Sequence, residues 1–235
     1  MRWMWIFVGF CITMGQGMAG NKKLREEFKP MEDMEGLPRV LLMGDSISIG
    51  YTLPVRILLE GKANVHRPPA NCGPTIKALE ELDTWLGKGS WDVIHFNWGL
   101  HDLKYMGPNG QNLADPEDPS SQQQVPPETY EANLTKLVSR LKETGAVLIW
   151  CSTTPVPQGA KGRVPGDARI YNAIARKIME ENDVLINDLH TFAKERLDEI
   201  QKPANVHFTP EGSRLLAEEV ARSIEKGLQL KTESR

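Results

Sequence analysis

The feature that most constrains the fold is an alternation that starts at residue 39. Short apolar runs, "RVLLMG", "NVHRP", "WDVIHFN", "AVLIWC" and "DVLIND", are each of strand length and each end in turn-forming or polar residues. Between them lie segments with helical periodicity. "YTLPVRILLEG" closes at Gly61, and "PTIKALEELDTWLGKG" has Pro74 near its start and Gly87 at its end. "ETYEANLTKLVSRLKETG" stops at Gly145, and "DARIYNAIARKIMEEN", "LHTFAKERLDEIQK" and "SRLLAEEVARSIEKGLQ" complete the series. Strands alternating with helices predict βαβ units, a parallel sheet and helices on both of its faces. The segment from Trp98 to Pro127 does not fit, being too polar and too rich in Pro and Gly to pack as an element. Loops of that length are functional lids or disordered segments.

In such a sheet the ligand crevice lies outside the carboxyl ends of the strands. The residues expected there are Ser46 in a Gly-Asp-Ser turn, Cys72-Gly73, the stretch from Asn97 to Asp102, the stretch from Cys151 to Thr154, Asn187-Asp188 and the loop holding His207. A serine hydroxyl is a poor nucleophile until a base takes its proton, and it needs N–H donors where the carbonyl oxygen becomes negative. Of the five histidines, His66 and His190 read as surface or packing residues, and His95 as a satisfied core residue within a strand. His101 and His207 fall in loops at the crevice. Read alone, Ser46 could equally cap a helix, and Asp45 and Asp102 read as turn-stabilising residues.

Four blocks occur in order after the expected elements: "GDSIS", "NCGPT", "NWGLHDL" and "NVHFTPEG". Together they resemble the SGNH/GDSL hydrolases, over about residues 38–228. The resemblance implies an α/β fold, a three-layer α/β/α sandwich around a five-stranded parallel sheet of flavodoxin-like order. It implies Ser46 as nucleophile and His207 as general base. The oxyanion hole would comprise the N–H groups of Ser46 and Gly73 and a third donor from the "NWGLHDL" block. That block normally reads Gly-x-Asn-Asp; His101 stands at the Asn position and is assigned the role, with Asn97 in reserve. "HFTPEG" launches a helix capped by Thr209 with Pro210 at its first position.

A second departure bears on the base. The family places Asp three residues before the histidine, and here that residue is Ala204. Either a backbone carbonyl steers His207, or another carboxylate does, Asp188 being the candidate at the end of the fifth strand; a degraded site is the third reading. The activity implied is hydrolysis of a short-chain ester, acetyl foremost, on a small-molecule or glycan substrate. Acyl transfer to a sugar hydroxyl would use the same residues, and a carbohydrate-binding protein without chemistry would use Trp98, Tyr105 and the loop 106–127 as a cleft. "GDSIS" lacks the last Gly of the G-x-S-x-G elbow, which disfavours an α/β-hydrolase. The paired Asp-x-His and Gly-His-x-His of dimetal phosphoesterases are absent from the sequence, so no metal and no cofactor is implied.

The N-terminus differs in kind. "MRWMWIFVGFCITMGQGMAG" has one Arg, an apolar stretch and small residues, the layout of a signal peptide (1–19) cleaved after Ala19. The stretch is too short to span a bilayer comfortably, so the mature protein is expected to be secreted or periplasmic without stable membrane insertion. Residues 20–37 form a polar arm and 229–235 a C-terminal tail around a hydrolase domain at 38–228. Export leaves Cys72 and Cys151, which could pair or stand as two buried thiols. A formal net charge of −3 gives no argument for a nucleic-acid partner.

Overall fold

The computed structural model describes residues 24–233, so the expected signal peptide lies outside the described residues. Five strands form one parallel sheet: β1 (Arg39–Met43), β2 (Asn64–His66), β3 (Val93–Phe96), β6 (Val147–Cys151) and β7 (Leu185–Asn187), in the order β2-β1-β3-β6-β7. Register pairs Leu42 with His95 and His95 with Ile149, so β3 runs through the middle of the sheet. Helices α1 (Ser46–Leu58), α2 (Thr75–Leu86), α3 (Pro127–Lys142), α4 (Asp167–Glu181) and α7 (Pro210–Glu233) make the outer layers. The expected three-layer sandwich is the observed one. The chain order reverses direction at β1 and β3, and a crevice opens at the carboxyl ends of strands that diverge in this way.

Burial explains why the strand runs look uniformly apolar. Val40, Leu41, Leu42 and Met43 are all buried, as are Val93, Ile94 and Phe96, because helices cover both faces of the sheet. His95 is the exception in this core. Its Nε2 meets Asn187 Nδ2 at 3.2 Å, and burial pushes its pKa down to about 3, so the ring is neutral.

Three elements depart from expectation. Helix α1 begins at Ser46 rather than near Tyr51, because Asp45 is an effective N-cap whose carboxylate accepts the Ile47 N–H. The segment expected to be one helix from Leu189 is two, α5 (Leu189–Lys194) and α6 (Leu197–Ile200). The second is held where it is by tertiary bonds, with Ile200 O accepting Thr209 N and the Gln201 amide donating to Pro155 O and Val206 O. The long loop after β3 carries a two-stranded antiparallel ribbon, β4 (Tyr105–Met106) with β5 (Gln122–Gln123). Backbone bonds tie it down: Val125 N to Asp102 O, Gln124 N to Lys104 O and Tyr105 N to Gly162 O.

The described part of the polar arm docks on β2. Asn64 exchanges side-chain bonds with the backbone of Met34 and Leu37, and Asp33 pairs with Arg39 and His66. Cys72 and Cys151 are separate buried thiols, so the two do not form a disulfide. Burial raises the pKa of both, that of Cys72 to about 11. Among the described residues no helix is long and apolar enough to cross a membrane.

Candidate active site

The turn after β1 sets Ser46 at the first position of α1. Asp45, buried as the cap, uses its carboxylate on Ile47 N, and no described residue accepts the Ser46 N–H. That N–H therefore points out of a helix N-terminus with the positive end of the helix dipole behind it. Gly44 is required for closeness: a Cβ there would lie 2.7 Å from Ser48 Cβ. Arg67, which sequence reasoning passed over, braces this corner. Its guanidinium bonds Ser48 Oγ, Thr52 Oγ1, Gly44 O and Ala70 O, joining the start of α1 to the loop that carries Cys72 and Gly73.

His207 comes from the turn before α7. Its Nε2 lies 2.8 Å from Ser46 Oγ, across 161 residues of sequence. Its position follows from local chemistry on both sides. Downstream, Thr209 Oγ1 accepts the Gly212 N–H and caps α7. Upstream, Lys202 N donates to His207 O and closes the turn, with Ala204 held at φ 50°.

The group that orients the imidazole is Asn205. Its Oδ1 accepts the His207 backbone N–H at 3.0 Å and faces His207 Nδ1 at 2.7 Å. A backbone N–H can only donate, so the atom it meets must be the amide oxygen rather than the NH₂. An oxygen in that place requires Nδ1 to carry the hydrogen. Nε2 is then the acceptor for the Ser46 hydroxyl, the tautomer that a general base needs.

Asp188 does not take this role. Its two oxygens are committed to Ser152 Oγ, Thr191 and the Arg176 guanidinium. Asn97 is likewise excluded as an oxyanion donor, because its buried Nδ2 donates to Cys151 O at 2.6 Å and to Thr153 Oγ1. Trp98 is 1 % exposed and packs against Phe96, so it is core and not part of a sugar cleft.

Gly73 has φ 61°, the left-handed region that glycine enters without strain, and its N–H donates to Asn71 Oδ1 at 2.9 Å. Serving an oxyanion would require that side chain to share or yield the donor. His101 is half-buried and makes no hydrogen bond to a described residue. Burial lowers its pKa, with Lys104, Arg163 and Lys77 acting in the same direction against Asp45. A neutral His101 still has one N–H to donate.

The electrostatics of His207 are similar. Burial lowers its pKa, Asp45 partly opposes this, and Arg163 and Lys202 reinforce it. The imidazole is therefore neutral and able to accept a proton at neutral pH. Both imidazoles feel the same Asp45 and the same Arg163, which puts His101 and His207 in one neighbourhood around Ser46. Beside it lies a groove of about 500 Å³ between the loops 113–117 and 158–165. It abuts the His207 turn, since a Cβ on Gly159 would sit 3.1 Å from Ala204 Cβ.

Comparison with known proteins bears on the family and the fold. The sequence pattern described as the GDSL-like lipase/acylhydrolase family matches residues 42–215. No curated protein matches the chain by sequence. Among solved structures, an acetyl xylan esterase superposes with a TM-score of 0.63 at 14% identity, covering 79% of this chain and 99% of that one. A lipase/acylhydrolase from Enterococcus faecalis gives 0.65 at 17% identity, covering 81% and 96%. An acetylxylan esterase from Geobacillus stearothermophilus gives 0.64 at 18% identity, covering 80% and 94%.

Proposed function

The chain belongs to the GDSL-like lipase/acylhydrolase family, and from that premise we propose that it is an exported serine esterase that removes a short acyl group, acetyl foremost, from a carbohydrate. The observation that carries the mechanism is the continuous chain Ser46 Oγ to His207 Nε2 at 2.8 Å, and His207 Nδ1 to Asn205 Oδ1 at 2.7 Å. It also favours a working site over a degraded one, since the contact a general base needs is intact without the usual Asp. Two of the fold's solved relatives are named as acetylxylan esterases, which supports an acetylated glycan as substrate.

In the proposed reaction, Ser46 Oγ attacks the ester carbonyl carbon as its proton passes to His207 Nε2. The carbonyl oxygen becomes negative in front of the Ser46 N–H at the N-terminus of α1, with His101 as a further donor and the Gly73 N–H joining once Asn71 Oδ1 yields it. Collapse breaks the bond to the alcohol, which leaves with the proton from Nε2, and an acyl-Ser46 remains. Water then attacks that acyl group, giving its proton to Nε2, and the proton returns to Ser46 as the carboxylic acid departs. Asn205 holds the ring through both halves.

The test is hydrolysis of a small activated acetate ester by the purified protein. The expected result is activity that falls by about 10³-fold or more in Ser46→Ala and is indifferent to a metal chelator. Activity retained in Ser46→Ala, or abolished by the chelator, would overturn the assignment.

A further inference from the structure

Two cations beside the candidate active site form no ion pair with a described residue. Arg163 is anchored through one edge only, its Nε donating to Leu100 O at 3.0 Å, and no described residue bonds or pairs with its terminal nitrogens. Lys104 is 8 % exposed, yet its ammonium makes no hydrogen bond or ion pair with a described residue. The two repel one another, and burial works against the charge on each. Cations partly withdrawn from water without a paired counterion are disfavoured, and an arriving anion relieves that cost.

The nearby acids offset these charges only in part: Asp45 acts on Arg163 and Asp102 on Lys104 from a distance, and neither forms an ion pair with them. Asp45 spends a carboxylate oxygen on the cap of α1. Asp102 accepts from Thr75 N and Thr75 Oγ1 and is pushed up to about 7 by burial, so it is only partly ionised at neutral pH. Asp115 and Glu117 do line the groove, but they are exposed residues on its outer loop, alongside Lys161. Arg163 lines the same groove and is held on the carbonyl of Leu100, the neighbour of His101, so its guanidinium joins the groove to the His101 loop.

We propose that Arg163 and Lys104 form a subsite for a negatively charged group on the substrate, so that the ester hydrolysed here is carried by an anionic carbohydrate. A uronate carboxylate and a sulfate offer the same chemistry to a guanidinium. The proposal rests on the esterase reading above and deepens it. It also gives the neutral Asn205 a place in the mechanism. When His207 becomes an imidazolium, no carboxylate meets its Nδ1; Asp45 favours the charge from a distance, while Arg163 and Lys202 oppose it. An anion docked on Arg163 cancels that opposition, so the substrate supplies part of what an Asp would have supplied. The effect therefore reaches kcat as well as KM.

The experiment compares kcat/KM for three O-acetyl substrates of matched size: a methyl glucoside, the corresponding methyl glucuronide and a sulfated methyl glucoside. The wild type is expected to favour at least one anionic ester over the neutral one by about 10- to 100-fold, the value of a charge-assisted contact. Added salt should shrink the ratio. Arg163→Gln should bring it close to unity, Arg163→Lys should keep part of it, and Lys104→Gln should lower it independently. Preference for one anion identifies its source. A wild-type ratio near one with all esters turned over, or a ratio that Arg163→Gln and Lys104→Gln both leave unchanged, overturns the proposal and leaves the esterase reading standing. A folded wild type that hydrolyses none of these esters, nor the activated acetate, overturns both.

Discussion

Asp102→Asn should make the protein more stable at neutral pH and change how its stability depends on pH. Asp102 is fully buried behind His101, with Oδ1 accepting two bonds from Thr75 and Oδ2 meeting no partner. Burial is the main reason its pKa rises from 3.8 to about 7; the Thr75 bonds oppose the shift without overcoming it. The native state thus keeps a proton that the unfolded chain releases, so stability falls as pH rises from about 3.8 to about 7. At about 1.4 kcal/mol per unit, the span amounts to roughly 4 to 4.5 kcal/mol. Asn is nearly isosteric with the protonated acid: its oxygen can take the Thr75 bonds, and its NH₂ replaces a hydroxyl that also lacks an acceptor. The variant should therefore resemble the wild type near pH 4.5 and gain on it steadily toward pH 7.5. His95 works in the opposite sense. Its pKa falls from 6.5 to about 3, so its contribution to stability is lost as pH drops through that window. The wild type partly hides one slope behind the other, and Asp102→Asn should uncover the His95 slope. Urea midpoints followed by tryptophan fluorescence at half-unit pH steps measure both. A difference between variant and wild type that stays flat from pH 4.5 to 7.5 would refute the reasoning.

The proposed base, His207, gives two further tests. Because burial lowers the His207 pKa, the acid limb of kcat/KM should lie below pH 6.5, and Asn205→Asp should move it upward by placing a carboxylate beside the ring. Asn205→Ala should lower kcat by about 10- to 100-fold with little change in KM, because the ring loses its tautomer lock and not its contact with substrate; an unaltered kcat would remove Asn205 from the mechanism. Gly99→Ala should cost about 1–3 kcal/mol in urea unfolding, since the added Cβ would overlap Thr153 Oγ1 behind the His101 loop. Neither Cys72 nor Cys151 should react with a thiol reagent until the chain unfolds, as both are buried with raised pKa.

What the sequence made legible was whatever rests on pattern. Two-faced burial writes a strand as an apolar run, and the alternation of five such runs with amphipathic helices admits few arrangements other than the observed parallel sheet. Ser46 and His207 were picked out by the four ordered blocks that resemble the SGNH/GDSL hydrolases, not by local pattern, since read alone Ser46 is as well a cap residue; the structure sets them at the start of α1 and just before α7. Trp98 was misread because strand β3 does not mark where burial ends. The chain past Phe96 stays inside until Lys104, and the Tyr130 hydroxyl donates to Trp98 O to hold it there. The ribbon in the long loop was illegible for a related reason. Two-residue strands carry no periodicity, and this one is fixed by bonds to Asp102, Lys104 and Gly162.

Asn205 shows most clearly where pattern stops and geometry begins. A reading that asks which carboxylate replaces the missing Asp looks for charge, and the nearest charge in the right part of the fold is Asp188. The structure replaces charge with register instead. One oxygen, Asn205 Oδ1, binds both the backbone N–H and the ring of the same histidine. In the serine-protease template, an Asn in place of Asp costs roughly 10⁴-fold because the wrong tautomer results. Here the backbone N–H dictates which face of the amide meets the ring, so that part of the loss is avoided and only the missing negative charge is left to make up. With the outer edge of Arg163 unpaired beside the same imidazole, and Lys104 beside that of His101, the site has a deficit of negative charge in the place where an anionic substrate could bring it.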